Sequence, residues 1–212
     1  MNRVLILFAH PALEKSRVNL ALMREVEKLP GVTFHDLYEA YPEFLIDVKR
    51  EQKLLLDHPI IVFQHPFYWY STPSILKEWQ DLVLEYGWAY GKGGTALKGK
   101  VLLNAVTTGG PEQAYRSEGH NRFTMRQFLA PMDQTARLCG MDYYAPFVVH
   151  SSLVIGSPEE AASQALQYRA LIESLRDGTL DTAAARAADR INGLIPGLQG
   201  HPVPNPVKEP SP

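Results

Sequence analysis

Residues 60–73, IIVFQHPFYWYSTP, constrain this chain more than any other stretch. Residues 60–63 are an uninterrupted apolar run, the pattern of a strand buried on both faces of a parallel sheet. Gln64, His65 and Pro66 end the run. Pro66 and Pro73 then bracket a loop that carries Phe67, Tyr68, Trp69 and Tyr70 in succession. Four rings in a row are costly in water unless something covers them. At the C-terminal edge of a parallel sheet the cover is a planar ligand lying in the crevice, or else the next helix or a subunit interface.

Two other strand ends carry ligand-like loops. Residues 4–9, VLILFA, read as a buried strand feeding a polar loop from His10 to Asn19. The spacing of Leu20, Met23, Val26 and Leu29 then indicates a helix, stopped by Pro30-Gly31. A strand, a polar loop and a helix start form an anion site, because the first N–H groups of the helix and its dipole both favour negative charge. Ser16 and Asn19 add side-chain donors, Arg17 a charge, His10 a further donor and Val18 a backbone amide. There is no GxGxxG or P-loop here, and Ser16 reads equally well as a plain N-cap. Residues 100–106 form another buried strand, closing on Thr107, Thr108, Gly109 and Gly110. The paired glycines let backbone amides approach a ligand without a Cβ clash, or make a simple turn.

The remaining chain completes an alternating pattern. Residues 32–37 read as an edge strand, followed by a loop over 38–42 and a short helix from Asp47. Residues 74–85 read as a helix with Ile75, Leu76, Trp79, Leu82 and Val83 on one face, Trp79 belonging to core or interface. The glycine-rich segment 87–94 is an ordered connection at the mouth of a pocket. Tyr115 and His120 sit in a polar loop where no core needs them. Residues 123–139 are helical with a break at Pro131. Residues 142–150 are the fifth strand, with Pro146 marking an edge or bulge. Ser157-Pro158 opens a helix reaching about Arg176. Five strands alternating with helices predict an α/β doubly wound, five-stranded parallel sheet in the order 2-1-3-4-5. Its switch point lies between the first and third strands, so all three loops converge on one crevice. The domain spans residues 1–178, with one further helix over 179–195 and a proline-rich, disordered tail over 196–212.

Composition narrows the functional classes. The 212 residues allow one α/β domain and a tail, and 45% hydrophobic content is ample for its core. A net charge of −2 gives no pull toward nucleic acid. The single Cys139 excludes an internal disulfide and suits a reducing cytoplasm. No apolar run reaches the ~20 residues of a membrane span.

The segments AHPALEKSRVN, QHPFYWYSTPSILKEWQD, GWAYGKGGTALKGK and VTTGGP resemble the flavodoxin-like NAD(P)H:quinone oxidoreductases. Within that superfamily they are most similar to the ancillary subunits of bacterial glutathione-gated potassium efflux systems. The resemblance runs from Val4 to about Arg176. It implies that His10, Ser16, Arg17, Val18 and Asn19 hold a flavin phosphate. It implies that Phe67, Tyr68, Trp69 and Tyr70 flank the isoalloxazine, and that Thr107, Thr108, Gly109 and Gly110 bond its polar edge. Larger animal members carry a Tyr and a His after the double glycine that neutralise the reduced cofactor. Tyr115 matches in spacing, and His120 falls one residue nearer than the pattern. The bacterial branch implies FMN, with FAD also admissible, NAD(P)H as co-substrate and a quinone as acceptor in a ping-pong, two-electron exchange. Independently of the resemblance, Trp69, Trp79 and Trp88 with their apolar neighbours are more ring surface than one small pocket needs, which points to a cytoplasmic homodimer with its sites at the interface. The competing class is a regulatory subunit docked at the inner face of the cell membrane on a potassium efflux transporter, its flavin mainly structural.

Overall fold

The computed structural model describes residues 1–155 and 157–195; the tail over 196–212 lies outside them. Strands β1 (Val4–Phe8), β2 (Val32–Asp36), β3 (Ile60–Pro66) and β4 (Val101–Thr107) are all parallel, in the order β2-β1-β3-β4. The fifth position is shared by two short strands, β5 (Asp142–Tyr143) and β6 (Phe147–Val149), both paired with β4. Residues 144–146 separate them, because Ala145 N–H turns to Ala185 O and Pro146 has no N–H for the ladder. The sheet therefore has the expected order and the expected edge defect.

Strand alternation sends side chains into two core layers. Leu5, Leu7, Ile61, Phe63 and Leu102 join Leu55 of α3 (Val48–Asp57), Ile75, Leu76 and Trp79 of α4 (Ser74–Val83), and Ala136 of α6 (Ala130–Leu138). Val4, Ile6, Val62, Leu103 and Phe147 join Val18 and Leu22 of α1 (Arg17–Val26) and Tyr168 and Leu171 of α7 (Pro158–Asp177). Local capping starts these helices: the side chains of Ser16, Asp47 and Ser157 accept from Asn19, Arg50 and Glu160 N–H, each three residues on. Gly178, at φ 71°, ends α7 in the left-handed conformation that glycine adopts without Cβ strain.

Several local expectations change. The loop expected over 38–42 begins with a helical turn, α2 (Leu37–Ala40), because Asp36 caps it by accepting from Tyr38 and Glu39 N–H. The helix expected over 123–139 is two pieces, α5 (Met125–Phe128) and α6, with Pro131 in the first turn of the second, where its missing N–H costs nothing. The helix over 179–195 is only α8 (Thr182–Ala187) and a 3-10 turn at Asn192–Leu194. This segment packs on the second core layer through Leu180, Ala185, Ile191 and Ile195, and Asn192 bonds both N–H and C=O of Val148.

Trp79 is core. It is buried, and its indole N–H donates to Glu51 Oε2 at 2.8 Å. It therefore supplies no contact surface, and Trp88 is packed against the same layer. Glu51 is a fully buried carboxylate that also bonds Tyr41 OH at 2.6 Å and His35 Nε2 at 2.9 Å. Burial raises its pKa, and these donors outweigh burial to leave it below the ordinary value. Cys139, at the C-cap of α6, is buried. Among the described residues no helix is long and apolar enough to cross a membrane.

Candidate functional site

The loop after β1 is held by its own polar groups. Ser16 Oγ accepts from Asn19 N–H at 3.2 Å and from Asn19 Nδ2 at 3.0 Å. Asn19 Nδ2 also reaches Thr107 Oγ1, at the end of β4, at 3.0 Å. Ser16 is thus the N-cap, and Asn19 ties the helix start to a second strand end. Asn19 Oδ1 is buried and has no partner, which is a costly state for an acceptor unless a donor meets it. Gln64, on the same sheet face as Ile60 and Val62, has both amide atoms in that state. His10 is buried, and its Nδ1 accepts from Ala12 N–H at 3.2 Å. A backbone N–H can only donate, so the neutral ring carries its proton on Nε2. Burial lowers the His10 pKa, with Glu14 opposing weakly, and favours that neutral form.

The loop after β3 behaves differently. Phe67 is buried, and its N–H donates to Thr107 O at 2.8 Å. Its ring meets Tyr70, Tyr115 and Phe128 edge-on, while Tyr70 stacks on Phe128 at 5.3 Å. Tyr68 turns the other way, toward His10, with ring centroids 6.0 Å apart. Trp69 is 93% exposed. Trp69 and Tyr70 have φ of 49° and 62°, a left-handed conformation unusual for large side chains. Beneath them His65 is fully buried. Its Nδ1 faces Pro66 O at 3.0 Å, and its Nε2 faces Asn104 Nδ2 at 3.1 Å. Pro66 O can only accept, so Nδ1 donates and Nε2 accepts; Tyr143 OH completes the chain at Asn104 Oδ1, 2.7 Å. Burial brings the His65 pKa down to about 4.

The third loop closes the site. Thr107 and Thr108 are buried. Among the described residues the N–H groups of Gly109 and Gly110 donate to no protein acceptor. A Cβ on Gly109 would sit 2.9 Å from the tip of Leu153. Phe67, Trp69, Tyr70, Gly110, Tyr115 and His120 line an open pocket of about 550 Å³ together with Pro111, Ala114 and Asn121. Burial raises the Tyr115 pKa, with the neighbouring Thr108 and Asn121 opposing it. His120 lies exposed at the rim. Thus six of the expected residues meet in one pocket. His10, Ser16, Asn19 and Tyr68 lie on its β1 side, joined through Thr107.

Three residues here were not singled out from the sequence. Asn121 accepts from Tyr70 OH at 3.4 Å, Phe128 centres the ring cluster, and His150 packs on Tyr115 with centroids 5.3 Å apart. Only His150 left a readable signal: a polar residue at the C-terminal end of a buried strand, like Thr107.

The geometry offers donors for an anion at α1, unsatisfied polar atoms along the crevice and an open pocket lined by aromatic rings beside two amides that donate to no protein acceptor among the described residues. Those features fit a flavin mononucleotide, whose phosphate, hydroxylated chain and planar ring need such partners. Among the described residues no cluster could hold a metal ion.

Comparison with known proteins agrees in fold. The model of a family described as flavodoxin-like fold matches residues 2–172. The glutathione-regulated potassium-efflux system ancillary protein KefG of Pectobacterium atrosepticum is 46% identical over 166 residues, covering 78% of this chain and 90% of that one. The general stress protein 14 of Treponema denticola, solved in complex with FMN, is 39% identical with a TM-score of 0.78, covering 82% and 99% of the two chains. An NADPH-quinone reductase from P. pentosaceus is 31% identical with a TM-score of 0.72, covering 80% and 96%. A structure described as a thermophilic tryptophan halogenase is 45% identical with a TM-score of 0.77, covering 79% and 97%. The activities named for these proteins differ, so the fold alone does not choose among them.

Proposed function

The chain belongs to the flavodoxin-like fold family, and on that premise we propose that it is a flavin-dependent NAD(P)H:quinone oxidoreductase. Ser16, Arg17, Val18 and Asn19 at the start of α1, with His10 Nε2–H, hold the phosphate of FMN. Phe67, Tyr68, Trp69 and Tyr70 form the wall beside its ring, and Thr107, Thr108, Gly109 and Gly110 bond its polar edge. When bound, the cofactor supplies the two-electron chemistry, from a nicotinamide hydride to a quinone. The amides of Gly109 and Gly110 would receive negative charge on that edge, while Tyr115, whose ring lies beside Gly110, and His120 at the rim offer a proton and a donor. One open pocket serves both substrates, so nicotinamide leaves before quinone enters and initial-rate plots are parallel.

The observation that carries this reading is the Asn19–Thr107 bond, which joins the anion loop to the glycine loop and leaves Asn19 Oδ1 without a donor. Acid extraction and chromatography of the purified protein test it, with about one FMN per chain expected. A colourless protein that neither FMN nor FAD reconstitutes overturns it.

A second reading is favoured by Trp69, whose exposure exceeds what one cofactor covers. On it the chain is an ancillary subunit, as its relative is named, with these rings docking on the cytoplasmic domain of a potassium efflux transporter at the inner membrane face. Poor turnover of NADPH with soluble quinone would favour this reading, and rapid turnover the first. In either case the rim suits a two-fold homodimer, and light scattering that gives a monomer mass with flavin bound would count against it.

A further inference from the structure

Residues 179–195, after α7, do more than cover the second core layer. They run as a strap along the edge of β6. Asn192 Oδ1 accepts from Val148 N–H and its Nδ2 donates to Val148 O, both at 3.0 Å. Ile191 N–H donates to Pro146 O at 2.9 Å, and Ala145 N–H donates to Ala185 O at 2.7 Å. Leu180, Ala185, Ile191 and Ile195 are buried, so the strap is firmly seated. From it two arginine contacts reach the outer wall of the pocket. Arg126 of α5 donates through Nη1 to Ala188 O and through Nη2 to Arg186 O, the latter at 2.7 Å. Those carbonyls end α8, where helical partners run out and a cation is favoured. Arg190 Nη1 pairs with Glu112 Oε2 at 2.7 Å. Burial pushes the Glu112 carboxyl up, and Arg190 more than offsets it.

The two contacts clasp different elements of one wall. Glu112 opens a 3-10 turn, Glu112–Tyr115, which presents Ala114 and Tyr115 to the pocket. The α5 turn carries Phe128, whose ring meets Phe67, Tyr70 and Tyr115. The hydrogen bonds of residues 111–128 are otherwise mostly local: Ala114 N–H to Pro111 O, Asn121 N–H to Ala114 O, and the capping box of Thr124 with Gln127. We propose that the strap sets the outer wall of the pocket, with Arg126 and Arg190 as the positioning residues that hold α5 and the Tyr115 turn to it. This rests on the quinone-reductase reading only for the consequence in turnover. A guanidinium shared by two carbonyls is the stronger clasp, and a partly exposed ion pair the weaker.

Amide hydrogen exchange of the full chain without added flavin, read by mass spectrometry, tests the clasps directly. In Arg126→Gln, peptides over 111–128 should exchange roughly tenfold faster while peptides from β1 and β3 keep wild-type rates. Unchanged exchange over 111–128, or an equal gain along the whole chain, overturns the proposal. Arg190→Glu should speed exchange over 111–122 roughly threefold, and adding Glu112→Arg should reverse it. A gain that the charge swap leaves in place overturns the role of Arg190. Arg190 is partly exposed, so this pair decides the matter should Arg126→Gln not fold. In the flavin-loaded enzyme Arg126→Gln should raise the KM for quinone roughly tenfold with kcat within about twofold. The Kd for FMN should stay unchanged, because Ser16 and Asn19 bond each other and Thr107 rather than the strap. A fall in kcat at constant KM is what mere loss of folded enzyme gives, and it overturns the proposal. An inactive wild type would sink the reductase reading while leaving the exchange results to judge the strap.

Discussion

The loops after β1 and β3 meet at one sheet edge yet are built in opposite ways. The first ties its polar side chains down by bonds at 3.0–3.2 Å among Ser16, Asn19 and Thr107. The second leaves Trp69 in water, holds two aromatic residues at positive φ, and is anchored from below by His65. A phosphate is held permanently, so its cradle gains from donors already in place. A wall that admits nicotinamide and quinone in turn needs open surface and local strain instead. On the proposed function the two loops would separate holding a cofactor from exchanging substrates, and each could be broken without the other.

The largest effect should come from acid. In the fold His65 titrates at about 4, against 6.5 as its ordinary value, so between those values the unfolded chain binds the extra proton. Stability is then complete above about pH 6.5 and is lost as pH falls toward 4, by roughly 3 kcal/mol for this group. Urea melts across that range measure the slope. His65→Gln keeps a donor for Pro66 O and an acceptor for Asn104 but cannot titrate, so its slope should be flatter by about one proton. An unchanged slope would show that the aromatic loop does not rest on a neutral imidazole.

Next in size is the β1 loop. Asn19→Leu removes the bonds to Ser16 and Thr107, together about 2 kcal/mol, and should weaken FMN binding roughly thirtyfold. Trp69→Ala, at an exposed position, should change it by less than about threefold. Fluorescence titration compares them, and equal losses would erase the distinction between cradle and wall.

Much of this contrast was legible in the chain. A strand buried on both faces is a continuous apolar run, so β1, β3 and β4 stand out, and sheet order then places their loops together. Pro146 foretold the broken fifth strand, because a missing N–H is a local property. What escaped was long-range or conformational. The meeting of Tyr115 with Phe128 and His150 depends on how α5 and the turn after β6 return to the pocket, which no spacing encodes. The positive φ of Trp69 and Tyr70 runs against their residue type, so only the folded loop reveals it. Asp36 is a residue type that caps helices, but α2 is a single turn, too short to show an apolar period of its own.

Within the pocket the contrast can be sharpened kinetically. Tyr115→Phe with His120→Ala should slow reduction by NADPH roughly tenfold to a hundredfold with FMN still bound, less than the full effect of an acid–base group because the Gly109 and Gly110 amides share the charge. Stopped-flow absorbance follows it. Wild-type rates would remove both side chains from the chemistry while leaving the cradle intact.

The smallest effect tests strain in the aromatic loop itself. At φ 49° a side chain crowds its own backbone, whereas glycine adopts that region freely. Trp69 buries almost nothing in the monomer, so Trp69→Gly forfeits little packing there. The relief of about 1 kcal/mol is countered by the greater freedom of glycine in the unfolded chain, a similar amount. The expected net change is therefore within about 1 kcal/mol, read as a shift of only a few degrees in Tm. A larger loss would mean that the Trp69 ring is covered in solution. Dilution series of the same melts would identify the cover, since a second copy makes Tm fall with concentration in the wild type and not in the variant.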